Sequence, residues 1–401
     1  MVTGTFPGAI SMTEACDLCR RHALEAIYRP DRSTRGLTVY LCHHCGLLQS
    51  LPRTDRAARA QASVSSGADW GNVRYGKGFR TNAAVTALRH HVDLTTRFQI
   101  LDVGSNRGSF ARAFLEAAPH AHMVAVEPDE RVAKACAGIE RCELIEARIE
   151  DAPLESSRFD IVHSCHTIEH LANPARVLSD HWRTLKPGGI LLVDAPNTAI
   201  LEAEDIVEEW FIDKHLYHFS SRTLMRMIAS AGFELIAPPD AEDRENLLVV
   251  ARKAYTGFPA ANLDSREVAE AERLVAAYIA NRARNLSALT HVAAAIQAMA
   301  PKRVAMWGAG RLFDTLVVHG RFAPTQLSLL IDSHLKAHVD ERHGCKLSGP
   351  EALAAANPDV VIVMSRGFAA EIAAEARRLA PRAKILFYAD LLADARLSKA
   401  A

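Results

Sequence analysis

Gln99-Ile100-Leu101-Asp102-Val103-Gly104-Ser105-Asn106-Arg107-Gly108-Ser109-Phe110 reads as a strand, a tight turn and the start of a helix. Ile100, Leu101 and Val103 supply an apolar strand around the acid Asp102. Small residues carry the turn, and Phe110, Ala113, Phe114 and Ala117 then recur at helical spacing. Gly104 and Gly108 lack a Cβ and accept positive φ, Asn106 is among the few other residues that tolerate it, and the helix behind presents unpaired amides. Backbone can approach a ligand closely here, and the part of the ligand it suits is small and polar or anionic.

The next apolar run, residues 122–126, ends in Glu127-Pro128, about twenty residues beyond the glycines. In doubly wound folds an acid at this place accepts hydrogen bonds from a ribose, so the ligand is expected to be a nucleoside. Dinucleotide sites use Gly-x-Gly-x-x-Gly, whereas here the glycines stand four apart and an acid precedes them. That spacing favours S-adenosylmethionine over a dinucleotide.

With 401 residues, 49% of them hydrophobic, the chain has core for two or three domains. Lys plus Arg and Asp plus Glu both total 47, so no global field draws it to nucleic acid or anionic lipid. No apolar run approaches the length of a membrane span. The opening Met1-Val2-Thr3-Gly4-Thr5-Phe6-Pro7 lacks the basic region and apolar core of a signal peptide, which leads us to expect a cytoplasmic protein.

Four of the eight cysteines form two Cys-x-x-Cys pairs, Cys16 with Cys19 and Cys42 with Cys45. Each pair presents two thiolates from one knuckle, and two knuckles complete a tetrahedron around zinc. Four thiolates leave no open position, so a structural site is expected, supplying the folding energy of a segment too short to bury a core. His22, His43 and His44 are read as surface residues, and Cys136, Cys142, Cys165 and Cys345 as core. Residues 51–82, with Trp70, Tyr75, Lys77 and Phe79, read as a connector that reaches the edge of the cofactor pocket.

From about residue 83 to 253 helix and strand alternate, with strands expected at 99–103, 122–126, 142–146, 159–163, 189–194, 232–237 and 246–251. The fold class is α/β: a seven-stranded, mainly parallel Rossmann-like sheet whose last two strands return antiparallel. Ligands of such sheets sit at the carboxyl ends of the strands. Residues 197–220 make a connection too long for its purpose, rich in acids (Glu202, Glu204, Asp205, Glu208, Glu209) and ending in Ile212-Asp213-Lys214-His215-Leu216-Tyr217-His218. Long loops at this edge bind substrates, and an imidazole, with an ordinary pKa of about 6.5, removes protons at neutral pH. His215 is the candidate base ahead of His218, with Asp213 or Tyr217 orienting it or the acceptor. Ser220 then caps a helix.

Residues 265–300 contain neither Gly nor Pro and carry an apolar stripe, which predicts one long helix or a helical pair joining two domains. Beyond it, Val304 to Trp307 runs into Gly308-Ala309-Gly310, and later runs at 327–331, 360–364 and 384–388 complete a smaller Rossmann-like sheet. Phe313 holds the place of a third glycine, so this half-fingerprint suits a domain that shapes or binds substrate better than one that holds a redox cofactor. The boundaries expected are a zinc-binding module at 1–60, a methyl-donor domain at 61–256, a helical linker at 257–300 and the second Rossmann-like domain at 301–401.

The Asp-x-Gly-x-x-x-Gly turn, Glu127-Pro128, Phe159-Asp160-Ile161-Val162, the Ile168-Glu169-His170-Leu171 loop and Leu185-Lys186-Pro187-Gly188-Gly189 together resemble the class I S-adenosylmethionine-dependent methyltransferases. Carried over by position, Gly104, Ser105 and Gly108 would cradle the methionyl part, Glu127 the ribose and Asp151 or its neighbour Glu150 the adenine. Asp102, Asn106 and His166 fall in the same cofactor set. The full succession of modules resembles the zinc-containing sugar C-methyltransferases. That resemblance implies structural zinc and a nucleotide-sugar acceptor held between the zinc, central and terminal domains. The family's active-site loop reads Tyr-His-Glu-His, of which only His215 is matched here, so transfer to carbon, oxygen or nitrogen is compatible with the loop. The competing readings are a methyltransferase of a non-sugar small molecule, a scaffold that binds the cofactor without transferring, and an oxidoreductase at Gly308 to Gly310. Nucleic acid and membrane are not expected as partners.

Overall fold

A computed structural model describes residues 14–31, 33, 36–53, 78–254, 263, 265–337 and 339–400, which fall into two compact units. Trp70, Tyr75 and Lys77 lie outside the described residues. The first unit includes the cysteine segment, the seven-stranded sheet and the beginning of the long helix.

The cysteine segment contributes β1 (Leu24–Tyr28), β2 (Thr38–Cys42) and β3 (Leu48–Leu51), an antiparallel meander. The large sheet contains β4 (Gln99–Val103), β5 (His122–Val126), β6 (Cys142–Ile145), β7 (Phe159–Cys165) and β8 (Leu185–Pro196), all parallel. A two-residue strand, β9 (Tyr217–His218), leaves the long loop and pairs with β3, so the meander and the loop share one sheet. β10 (Phe233–Ala237) and β11 (Asn246–Lys253) return antiparallel, giving the order β10-β11-β8-β7-β4-β5-β6.

Strands buried on both faces read as apolar runs, and Ile100, Leu101, Val124, Ile161, Val162, Leu191 and Val193 are all buried. Lys186 to Gly189 behaves differently from the expected turn. Phe159 pairs with Leu185 and Ile161 with Ile190, so the extra residues bulge out of a strand that is already paired. The helix after the loop (Ser221–Ser230) begins at Ser220 with a capping box shared with Thr223.

The second unit consists of the rest of the long helix (Ser265–Gln297), a six-stranded sheet and the segment Leu201–Trp210. Its strands are β12 (Val304–Trp307), β13 (Leu329–Ile331), β14 (Glu341–Arg342), β15 (Cys345–Ser348), β16 (Val360–Val363) and β17 (Lys384–Phe387). The hairpin of β14 and β15 is an addition to the strands expected. Much of the acidic stretch is a structural part of this unit. Val207 is fully buried in its core, and Arg366 binds Asp205 (2.7 Å) and Glu208 (2.8 and 2.9 Å). Tyr278 donates to Glu209 at 2.6 Å.

Two histidines of the first unit set its acid limit. His181 is buried and burial lowers its pKa to about 4; His218, also buried, bonds Ser50 Oγ at 2.9 Å and is lowered to about 3. Both rings are neutral in the fold, whereas in the unfolded chain each takes a proton near pH 6.5. The unfolded chain therefore binds more protons between those limits, and stability falls as pH drops. Thermal melts are expected to be flat above about pH 7 and to lose Tm steeply from about pH 6 to 4. His181→Phe is expected to make that slope shallower.

Candidate active site

The turn after β4 has the backbone that its glycines predict. Gly104 has φ 69°, Asn106 51° and Gly108 72°. The amides of Gly104 and Ser105 bond Val126 O, which holds the turn against the end of β5. Glu127 is 8% exposed and accepts from the amides of Asn106 (2.8 Å) and Asp129 (3.0 Å). A carboxylate oxygen accepts more than one hydrogen bond, so Glu127 keeps capacity for ligand hydroxyls. A Cβ on Gly104 would collide with Thr167 Oγ1, and one on Gly108 would lie 2.7 Å from Ile139 Cδ1. The cradle is therefore tight on its protein side.

The cavity beside this turn is lined by Arg80, Thr81, Asp102, Gly104, Ser105, Phe110, His163 and Cys165. It brings together Asp102, Gly104 and Ser105 from the expected cofactor set, while Asn106 joins Glu127 through its amide. Asp151 stands exposed on a 3-10 turn (Ile149–Asp151) that follows β6, the strand next to β5. His166 is placed further along the strand ends. Its Nε2 meets Asn246 Oδ1 at 3.1 Å and its Nδ1 lies 3.7 Å from Glu169.

Arg80, Thr81 and His163 of the cavity were not singled out from sequence. Arg80 reaches it from a helix (Gly78–Arg89) at the end of the expected connector and is paired with Asp194 and Asp243. His163 Nδ1 donates to Asp102 Oδ1 at 2.7 Å, and its ring stacks on Phe110 with centroids 3.6 Å apart. The signal for His163 was present: it is an imidazole that directly follows the apolar pair Ile161-Val162 within a strand.

The loop carrying the expected acid-base residues separates them. His215 meets a cluster formed by Glu169 and His170, with donor atoms of the three side chains all within 4.8 Å. Asp213 accepts from Ser33 Oγ at 2.6 Å. Tyr217 is placed otherwise than expected. It is 1% exposed, its hydroxyl donates to Asp17 and to Ala172 O, and burial first, then Asp17, push its phenol pKa up. Its side chain fastens the cysteine segment to the sheet because alternate residues of β9 point opposite ways. His218 is buried against Ser50 and Phe211, away from any acceptor.

Cys16, Cys19, Cys42 and Cys45 converge, with Sγ pairs at 3.5 Å and all four sulfurs within 4.8 Å. Hydrogen bonds from Cys16 and Cys45 pull the Cys42 thiol far down, and those with Cys16 and Cys42 push Cys45 up. Sulfurs about 2.3 Å from one centre stand about 3.8 Å apart in a tetrahedron, so the residues present fit one thiolate-bound ion. In the second unit the turn at Gly308 repeats the first in outline. Asp332 accepts from the amides of Ala309, His334 and Leu335, and buried Phe313 fills the third glycine's place.

Residues 74–237 match the family model of a methyltransferase domain. Over 138 residues the chain is 28% identical to a probable S-adenosylmethionine-dependent methyltransferase of Mycolicibacterium smegmatis, a match covering 34% of this chain and 52% of that protein. A probable S-adenosylmethionine-dependent methyltransferase of Mycobacterium tuberculosis is 32% identical over 103 residues, 25% of this chain and 37% of that one. The chain thus spans about half the length, or less, of these relatives. The structure of an S-adenosylmethionine-dependent methyltransferase from Mesorhizobium loti is similar with a TM-score of 0.35 and 19% identity, covering 43% of this chain and 99% of that one. The residues matched to a methyltransferase domain include the turn at Gly104 to Gly108 and Glu127.

Proposed function

We propose that the chain transfers the methyl of S-adenosylmethionine to a nucleotide-linked sugar or a related natural-product or polysaccharide precursor, with zinc held by Cys16, Cys19, Cys42 and Cys45. The observation that carries the reading is the turn at Gly104 to Gly108, closed by Glu127 and joined to the histidine-rich edge by Thr167, whose Oγ1 donates to Val103 O at 3.2 Å and which directly precedes Ile168–His170. The sugar part is supported by the succession of modules and by β9, which ties the cysteine segment to the loop bearing His215.

S-adenosylmethionine supplies a methyl already electrophilic on a sulfonium, so what remains for the protein is alignment, exclusion of water and removal of a proton. Gly104, Ser105 and Gly108 would bind the methionyl part, Glu127 the ribose hydroxyls, and Asp151 or Glu150 the adenine. An acceptor lone pair then forms the new bond to the methyl carbon while the carbon–sulfur electron pair stays with sulfur. The acceptor's proton leaves at the cluster of His215, His170 and Glu169.

The test is incubation of the zinc-loaded protein and methyl-labelled S-adenosylmethionine with nucleotide-sugar and small-molecule pools, read by mass spectrometry. Label in a nucleotide sugar is expected, and solvent deuterium taken up by that sugar would mark transfer to carbon. His215→Ala is expected to slow transfer by about a hundredfold or more with unchanged affinity for S-adenosylhomocysteine. If S-adenosylhomocysteine binds but no nucleotide sugar acquires label, the sugar reading is wrong.

A further inference from the structure

We infer that Glu169, His170 and His215 bind one divalent transition-metal ion at the acceptor edge of the first unit, separate from the four-cysteine site. The inference rests on the reading of that edge as the place where the acceptor loses its proton, and it names what acts there.

The three residues come from two segments that the backbone locks together. Glu169 and His170 lie on a 3-10 turn (Ile168–His170) directly after β7, and His215 lies in the loop that leads to β9. The Leu216 amide donates to Glu169 O at 2.8 Å, and the His215 amide to Ile212 O at 3.0 Å. His170 Nδ1 lies 2.9 Å from Lys214 O. A carbonyl oxygen only accepts, so Nδ1 carries a proton, and in the neutral ring Nε2 carries the lone pair. Nε2 is the atom that faces Glu169, at 3.7 Å from Oε1. Metal-binding histidines are commonly set in this way, with the other ring nitrogen donating to a backbone carbonyl. The His215 ring lies beside it, centroids 4.9 Å apart.

Glu169 is 1% exposed. A carboxylate so far from water requires a cation or strong donors close to it. Two imidazoles are among the groups that face it: His170 on one side and His166, with Nδ1 at 3.7 Å from the same oxygen, on the other. His166 already meets Asn246 through Nε2. Two imidazole nitrogens and one carboxylate oxygen make the donor set of open catalytic zinc sites and of non-haem iron sites. Bond lengths of about 2.0–2.2 Å require donors about 3.3 Å apart, a closure of about an ångström that side-chain rotation supplies. His170 is 31% exposed, so the remaining coordination positions open toward solvent. A cation there would make an acceptor hydroxyl more acidic, and the hydroxyl would give its proton to water at the open side of the ion.

The probe is cobalt(II) alone, added to the zinc-loaded full chain so that the cysteine site stays filled. One equivalent is expected to bind with visible bands that lack sulfur-to-cobalt charge transfer. Glu169→Gln and, independently, His170→Ala and His215→Ala are expected to lose that equivalent while keeping the native far-ultraviolet spectrum and their zinc. Cobalt binding that is absent, carries the thiolate signature only, or survives all three substitutions overturns the site. The outcomes are separable from those for methyl transfer: transfer that persists at full rate in chain free of the second ion removes the inference and leaves the function standing. Cobalt binding lost in the variants, with no acceptor ever labelled, does the reverse.

Discussion

Gly104→Ala is expected to weaken S-adenosylhomocysteine binding at least tenfold, or about 1.4 kcal/mol, and to destabilise the first unit by a further few kcal/mol. Two costs act together. Gly104 sits at φ 69°, where an L side chain costs about 1–2 kcal/mol. The new Cβ would also strike Thr167 Oγ1, which is not free to turn aside because it donates to Val103 O and Cys165 O, both at 3.2 Å. The backbone must shift instead, and with it the amides that meet the ligand. Calorimetric titration and urea unfolding of the single variant, Thr167→Ala and the double variant separate the two costs. Partial recovery in the double variant is expected, since the collision is relieved and the positive φ is not. Gly108→Ala is expected to do less, because its Cβ would meet the flexible end of Ile139. Unchanged affinity in a folded Gly104→Ala protein would mean that the ligand does not lie on this turn.

The glycine turn was legible because its requirements are local. Only small residues fit where φ is positive and Thr167 stands close, and an acid must follow at the end of β5. The parallel strands were legible for a similar reason, being buried on both faces. The bulge in β8 was not, since Lys186-Pro187-Gly188-Gly189 has the residues of a turn and only pairing with β7 makes it part of a strand. Pairings across long stretches of chain were also hidden. His170 and Lys214 are 44 residues apart in sequence, and nothing local in either says that they meet. The same holds for Tyr217, whose partner Asp17 is 200 residues away. The acids of the long loop were visible, but their engagement by Arg366 and Tyr278 within the second unit was not.

Removal of zinc from the four cysteines, by chelation or by Cys42→Ser, is expected to cut methyl transfer about a hundredfold while S-adenosylhomocysteine affinity changes by no more than about threefold. Cys42 and Cys45 lie where β2 ends and β3 begins, Cys16 and Cys19 precede β1, and without an ion the four thiols have nothing to hold the two knuckles together. β3 is the strand that places the loop: Leu48 pairs with His218 and Gln49 with Tyr217, and the Ser50 amide donates to Leu216 O at 2.8 Å. Asp17, between the first two cysteines, receives the Tyr217 hydroxyl. Loss of the knuckles therefore releases residues 216–218 on the carboxyl side of His215, and a displacement of about an ångström is enough for a loss of this size. The glycine turn is held by Val126, Glu127 and Thr167, none of them in the cysteine segment, so cofactor binding is expected to persist. Zinc content, labelled methyl transfer and S-adenosylhomocysteine titration on the same samples check this. Loss of binding in step with transfer would make the cysteine segment a support of the whole unit. Unchanged transfer in zinc-free protein would show that the loop does not depend on an ion there.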